Sequence, residues 1–335
     1  MIRPADKVEF WDFSDSDKLD LFNKIKKEKN ISLKAAEKDW WVCHVIRAVF
    51  SLQCAEADAL TFKGGTSLSK AWDITKRFSE DVDVAIDKSF FGISGETRSA
   101  RDRIRKLSRK YIGNDVLFEL SSALFVFGAR DCEVGYKPRH DSDADPTVLL
   151  IPYYSILPED PYIKPVVKVE FSCRSPRGPR ERRAVRPFAS ELSPVIFFPE
   201  TVVPTVVPTR TFLEKVFLLH EEFQKDYPRY RRMSRHLYDL YQLEKAGYAD
   251  QAVADTDLYD SLVHHRQVFN AIRGIDYSKH RRESLQFLPP AHLMPLWEED
   301  YKAMQDQFIY GDSPSFEELI ASLSALQERI RLQVV

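Results

Sequence analysis

Two adjacent glycines, Gly64 and Gly65, constrain this chain most, because of what stands on either side of them. The short apolar run Leu60–Lys63 stops at them, which predicts a strand ending in a turn. Thr66 or Ser67 is then suited to cap a helix that continues through Leu68, Ala71 and Trp72. A second strand is expected at residues 81–86, where side chains alternate. Asp81, Asp83 and Ala85 fall on one face, and Val82, Val84 and Ile86 on the other. The valine face suits a core. That leaves the two aspartates side by side at a strand end.

Without a Cβ, a Gly-Gly turn lets backbone N–H groups come close to a ligand. The helix start aims further unpaired N–H groups and a positive dipole end at the same place. With the hydroxyls of Thr66 and Ser67, these groups predict a phosphate cradle. Two carboxylates held together repel unless a cation lies between them. Hard oxygen ligands favour Mg²⁺ or Mn²⁺, which would bridge nucleotide phosphates and activate an attacking oxygen. A Gly-Gly pair alone is commonly a helix start, and D-x-D alone a solvated strand edge. Their succession, from strand and Gly-Gly through helix and strand to D-x-D, points to a joint metal and triphosphate site.

The remaining sequence sets limits. At 335 residues the chain has room for two domains. It carries 49 Lys and Arg against 51 Asp and Glu, a net charge of −2, so any polyanion contact must come from a local patch. Cys43, Cys54, Cys132 and Cys173 form no C-x-x-C pair and no zinc spacing with a histidine, which predicts reduced thiols in the cytoplasm. No apolar leader core and no stretch of about 18 apolar residues is present, so neither a signal peptide nor a membrane span is expected.

Helical periodicity covers residues 15–28 and 32–52, with Trp41, Val45, Val49 and Leu52 as a buried stripe. A basic helix is expected at residues 95–111. Short runs at residues 124–128, 148–154, 165–173 and 184–188 read as strands. The period turns helical again from Thr211, with Phe212, Val216, Leu219 and Phe223 on one face. The proline-containing residues 194–208 mark a boundary between a mixed lobe, 1–205, and a helical lobe, 206–335.

The segments Lys63-Gly64-Gly65-Thr66-Ser67-Leu68-Ser69-Lys70 and Arg77-Phe78-Ser79-Glu80-Asp81-Val82-Asp83 resemble the signature of the DNA polymerase β-like nucleotidyltransferase superfamily. More closely, they are similar to the AbiEii/AbiGii toxin family, which includes the MenT toxins. Glu37-Lys38-Asp39-Trp40-Trp41-Val42 is similar to that family's upstream helix. The similarity runs in pieces from about residue 32 to about residue 245. It implies an α+β fold: a polymerase β-like lobe with a mixed sheet flanked by helices, and a C-terminal helical lobe. It also implies Asp81 and Asp83 as catalytic metal ligands, and Lys63 to Ser67 with Ser79 as nucleotide-binding residues.

A K-x-E strand follows in that family, and Lys168-Val169-Glu170 fits it. Glu170 would complete the acidic site or orient its ligands. The family places a lysine and an aspartate in the second lobe, matched by Lys215 and Asp239. Lys215 lies off the Phe212/Val216/Leu219 stripe and is expected to hold triphosphate or departing pyrophosphate as a point charge. Asp239 would accept a proton from the acceptor or position a basic partner. Its alternative is an i, i+4 pair with Arg235.

Two arginine clusters suit an RNA backbone: Arg177, Arg180, Arg182 and Arg183 within one, Arg231 and Arg232 within the other, beside Tyr227 and Tyr230. A solvated surface or a dock for an acidic partner would also account for them. Residues 140–145, rich in aspartate, read as a solvated turn. The resulting expectation is transfer of a nucleotide from an NTP, with Mg²⁺ or Mn²⁺, to the 3′ end of tRNA, blocking translation beside a cognate antitoxin. Phosphorylation of Ser79 would oppose nucleotide binding. The alternatives are a protein or small-molecule acceptor, or a nucleotide-binding module without chemistry.

Overall fold

The computed structural model describes residues 4, 6–93, 95, 97–137, 146–159, 163–173, 175 and 178–332. They divide into two compact units, residues 1–72 with 78–206 and residues 73–77 with 207–335.

The first unit contains the strands β1 (Val8–Glu9), β2 (Leu60–Lys63), β3 (Asp81–Ile86), β4 (Gly135–Tyr136), β5 (Thr147–Pro152), β6 (Val166–Ser172), β7 (Arg180–Val185), β8 (Ile196–Phe197) and β9 (Thr201–Val206). β1 and β8 form a separate parallel pair. The others make one mixed sheet in the order β4-β5-β6-β3-β2-β9-β7. At its centre β3 runs antiparallel to β2 and parallel to β6. This register sets Asp83 opposite Lys63 on one side and Glu170 on the other, and Asp81 opposite Lys168.

Side-chain alternation sorts the two faces. Val82, Val84, Val167, Val169 and Phe171 are fully buried, while Asp81, Asp83, Lys168 and Glu170 keep partial exposure. Helices α1 (Asp15–Lys29), α2 (Leu33–Val49), α3 (Gln53–Glu56), α4 (Gly64–Lys70), α5 (Arg98–Tyr111), α6 (Leu117–Val126) and α7 (Phe188–Leu192) flank the sheet. α2 packs on β3 and β6, and against α1, α6 and α7. That is why far more than the stripe of Trp41, Val45, Val49 and Leu52 is buried: Glu37, Lys38 and Asp39 are at most 2% exposed.

Two readings need correction. Residues 124–126 belong to helix α6 and Phe127 is its cap, so no strand forms here. A five-residue apolar run looks the same in a buried helix turn as in a strand. The residues 194–208 hold β8 and β9, and β9 pairs with both β2 and β7. Finally, α4 starts at Gly64 itself, with Lys63 at the cap position and no side-chain cap, so Thr66 and Ser67 lie inside the helix.

The second unit is helical: α8 (Pro208–Glu222), α9 (Ser234–Lys245), α10 (Tyr248–Ala254), α11 (Thr256–His265), α12 (Met294–Gln307) and α13 (Phe316–Leu332). Pro208 opens α8, where its missing N–H costs no helix bond. Phe212, Val216, Leu219, Leu237 and Leu240 are completely buried. Residues 73–77 join this unit because Tyr310 donates its N–H to the Lys76 carbonyl at 2.9 Å and Arg77 bridges to Ile309. Among the described residues, no helix is long and apolar enough to cross a membrane.

Candidate active site

Gly64 takes φ +79°, a region that side-chain-bearing residues rarely occupy. A Cβ built there would lie 2.1 Å from Asp83 Oδ2. The glycine is therefore required twice, for its backbone and for the carboxylate that rests against it. The turn and the acidic pair converge, as their order in the sequence predicts.

The hydroxyls of the cradle are used differently from the expectation. Thr66 and Ser67 are completely buried. Thr66 Oγ1 donates to the Asp81 carbonyl and lies 2.8 Å from Ser79 Oγ. Ser67 Oγ donates to the Gly64 carbonyl at 2.8 Å. Both side chains thus fasten the glycine turn to the lead-in of β3, and it is the backbone of Gly64 and Gly65, with half-buried Lys63, that keeps access to solvent.

On the neighbouring strand, Lys168 Nζ lies 3.1 Å from Asp81 Oδ2 and 2.7 Å from Glu170 Oε1. Burial alone would lower its pKa, but the Asp81 and Glu170 carboxylates hold the ammonium above its ordinary value. Lys168 is thus a cation placed between two carboxylates, a role that the sequence reading did not assign to it. Glu170 is joined to Asp81 through this lysine. Among the described residues, no three His, Cys, Asp or Glu side chains meet as a preformed metal cage. Two carboxylates nevertheless suit Mg²⁺ or Mn²⁺, because Mg²⁺ is commonly held by one or two carboxylates, water and substrate phosphates. Asp81 and Asp83, both partly exposed on one strand face, supply that donor set.

The two family-implied residues of the helical unit form a different environment. Asp239 is fully buried. It accepts from Arg77 Nε at 2.7 Å and Nη2 at 2.8 Å, and pairs with Lys215 Nζ at 2.8 Å. Burial opposes its charge, yet Arg77 and Lys215 hold its pKa far below the carboxylate range. Its basic partners in the structure are Arg77 and Lys215. Lys215 is buried at 7% exposure, contrary to its position off the apolar stripe, and burial lowers its pKa despite Asp239. The Arg77 partnership spans 162 positions, and no local signal announces it.

The arginine expectation divides. Arg180 binds Asp58 Oδ2 at 2.6 Å and the Leu60 carbonyl at 3.0 Å, which ties it to β2 and the turn before it. Arg183 stacks on Trp72, 4.2 Å from the ring centroid, and donates to the Ala71 carbonyl. Arg182, Arg231 and Arg232 are exposed. Arg177 and residues 140–145 lie outside the described residues.

A mixed sheet with a Gly-Gly helix start set against an acidic pair is the arrangement of a nucleotidyltransferase. The family model described as nucleotidyl transferase AbiEii toxin, type IV toxin–antitoxin system, matches residues 47–322. The chain belongs to this family, and membership implies a cognate antitoxin. Among solved structures, it is similar to MenT4, a nucleotidyltransferase toxin from Mycobacterium tuberculosis, at 16% identity and a TM-score of 0.42, covering 95% of this chain and 99% of that one. No curated protein matches the sequence.

Proposed function

We propose that the chain transfers a nucleoside monophosphate from an NTP to an RNA hydroxyl, the 3′ end of tRNA, in a metal-dependent reaction that blocks translation. The single observation that carries this reading is the contact of the Gly64 turn with the Asp83 carboxylate. It puts a close-approach backbone surface and hard oxygen ligands in one place, as a triphosphate with its cation requires.

Asp81 and Asp83 would hold Mg²⁺ or Mn²⁺. The bound ion would neutralise phosphate charge and favour ionisation of the attacking hydroxyl. The Gly64-Gly65 backbone receives the triphosphate without steric hindrance. Thr66 keeps this turn in register with Asp81 through the Asp81 carbonyl. Lys168 holds the Asp81 and Glu170 carboxylates in fixed orientation and limits their repulsion. The attacking oxygen forms a bond to the α-phosphorus as the bond to pyrophosphate breaks. Arg182, Arg231 and Arg232 offer exposed cations to an RNA backbone. A phosphate on Ser79 would break its contact with Thr66 and oppose the incoming nucleotide.

Incubation of the protein with each labelled NTP, and with total RNA or protein extract, tests this directly. Label in the tRNA fraction is the expected outcome. Label in protein or in small molecules alone would replace the acceptor, and no label in any fraction would remove the reading.

A further inference from the structure

α2 buries three consecutive charged residues, Glu37, Lys38 and Asp39. Charges without partners are strongly unfavourable in such a place, so each must be matched. Successive helix residues point about 100° apart, and these three reach three different parts of the first unit. Glu37 accepts from Ser155 Oγ at 2.6 Å and from the Ile156 N–H at 2.9 Å. Lys38 donates to Glu80 Oε2 at 2.7 Å and to the Lys164 carbonyl at 3.0 Å. Asp39 accepts from Lys70 Nζ and from the Phe188 N–H, both at 2.7 Å.

The partners of Lys38 and Asp39 have something in common that the partners of Glu37 lack. Glu80 immediately precedes Asp81. Lys164 stands two residues before β6, the strand of Lys168 and Glu170. Lys70 is the last residue of the helix that begins at Gly64. One ammonium thus ties together the lead-ins of the two strands whose faces carry the acidic site. The next residue holds the far end of the glycine helix. Apolar contacts would pack α2 equally well, but they would not fix these segments at single points.

We infer that Lys38 and Asp39 are positioning residues of the transfer site: Lys38 sets β3 against β6, and Asp39 sets the Gly-Gly helix, without either touching substrate. This rests on the proposed transfer activity. Glu37 provides an internal control, because it is equally buried on the same helix but anchors Ser155 and Ile156.

The test compares wild type with Lys38→Met, Asp39→Asn, Glu80→Gln and Glu37→Gln in labelled-NTP transfer, together with thermal denaturation. Assays run at a temperature where every variant remains folded. Lys38→Met and Asp39→Asn are expected to lower kcat by roughly ten- to a hundredfold with KM for the NTP little changed, since displacement of about 1 Å has that effect. Glu37→Gln is expected to lose thermal stability while keeping kcat within about twofold. The Lys38→Met/Glu80→Gln double variant should be no slower than Lys38→Met, because Glu80→Gln removes a bond that Lys38→Met already lacks, and Lys38→Arg should restore part of the rate. If Lys38→Met fails to fold, Glu80→Gln reads the same bond from its half-buried end. Unchanged kcat in the Lys38, Asp39 and Glu80 variants, or an equal loss in Glu37→Gln, would overturn the inference while the transfer reading stands. A wild type that labels no acceptor removes both.

Discussion

The acidic face of β3 and the Asp239 cluster of the helical unit are both built from carboxylates and cations, yet they are opposite kinds of environment. Asp81 and Glu170 share one lysine and remain about one-fifth exposed. Asp239 has two cations to itself and no exposure. A partly exposed carboxylate with a partly satisfied charge can still take a ligand. A buried carboxylate with both oxygens bound to cations holds structure. Residue type does not separate these roles, whereas solvent access and the ratio of charges do.

Substitutions should therefore divide the two regions by readout. Asp81→Asn and Asp83→Asn are each expected to reduce transfer by roughly a thousandfold or more, about 4 kcal/mol of barrier, with melting temperature nearly unchanged. A large drop in melting temperature instead would move these residues into the structural class. Asp239→Asn should do the reverse. It leaves Arg77 and Lys215 buried without their counter-charge, at a cost of about 3 kcal/mol or more in stability, measurable by urea unfolding. A stable Asp239→Asn protein that has lost activity would contradict the structural assignment.

Gly64→Ala sharpens the comparison on the active side. The added Cβ must displace the Asp83 carboxylate and accept a left-handed backbone. Transfer should fall about a hundredfold, while stability falls by about 1–2 kcal/mol. Wild-type rates in this variant would mean that Asp83 need not rest on the turn.

The smallest effect is one that both regions should share. His44 in the first unit and His220 in the second are buried, and burial depresses their pKa values to about 3 and about 4. Both are lowered relative to the unfolded chain, so the stability they preserve is complete above pH 6.5 and is lost as pH falls towards those values. Between pH 7 and 6 the loss should be under about 1 kcal/mol for each. His44→Phe and His220→Phe should flatten the pH dependence of unfolding, and unaltered slopes would show that neither histidine is kept neutral.

Much of the first region was legible because its signal is local. The strand Leu60–Lys63, the glycines and the alternation in Asp81–Ile86 lie within 27 residues, and alternation alone separates the buried valines from the partly exposed aspartates. The second region was not legible, since Lys215 and Asp239 acquire their meaning from Arg77, which is far away in the chain. The same applies to Arg180, whose cluster suggested RNA while its guanidinium serves Asp58 and Leu60. Lys38 and Asp39 stood in a segment that matched a family pattern, but their partners lie 42 and 31 positions away. Long-range pairing of charges leaves no periodic trace, whereas strand alternation and glycine turns do.

The central claim is that the two carboxylates of β3 hold the cation that accompanies the nucleotide. Mn²⁺ binding followed by electron paramagnetic resonance, with and without a non-hydrolysable NTP, addresses it without relying on turnover. The expected result is Mn²⁺ capture by wild type that strengthens with nucleotide and disappears in the Asp81→Asn/Asp83→Asn double variant. Equal capture by that double variant, with its fold intact, would contradict the account.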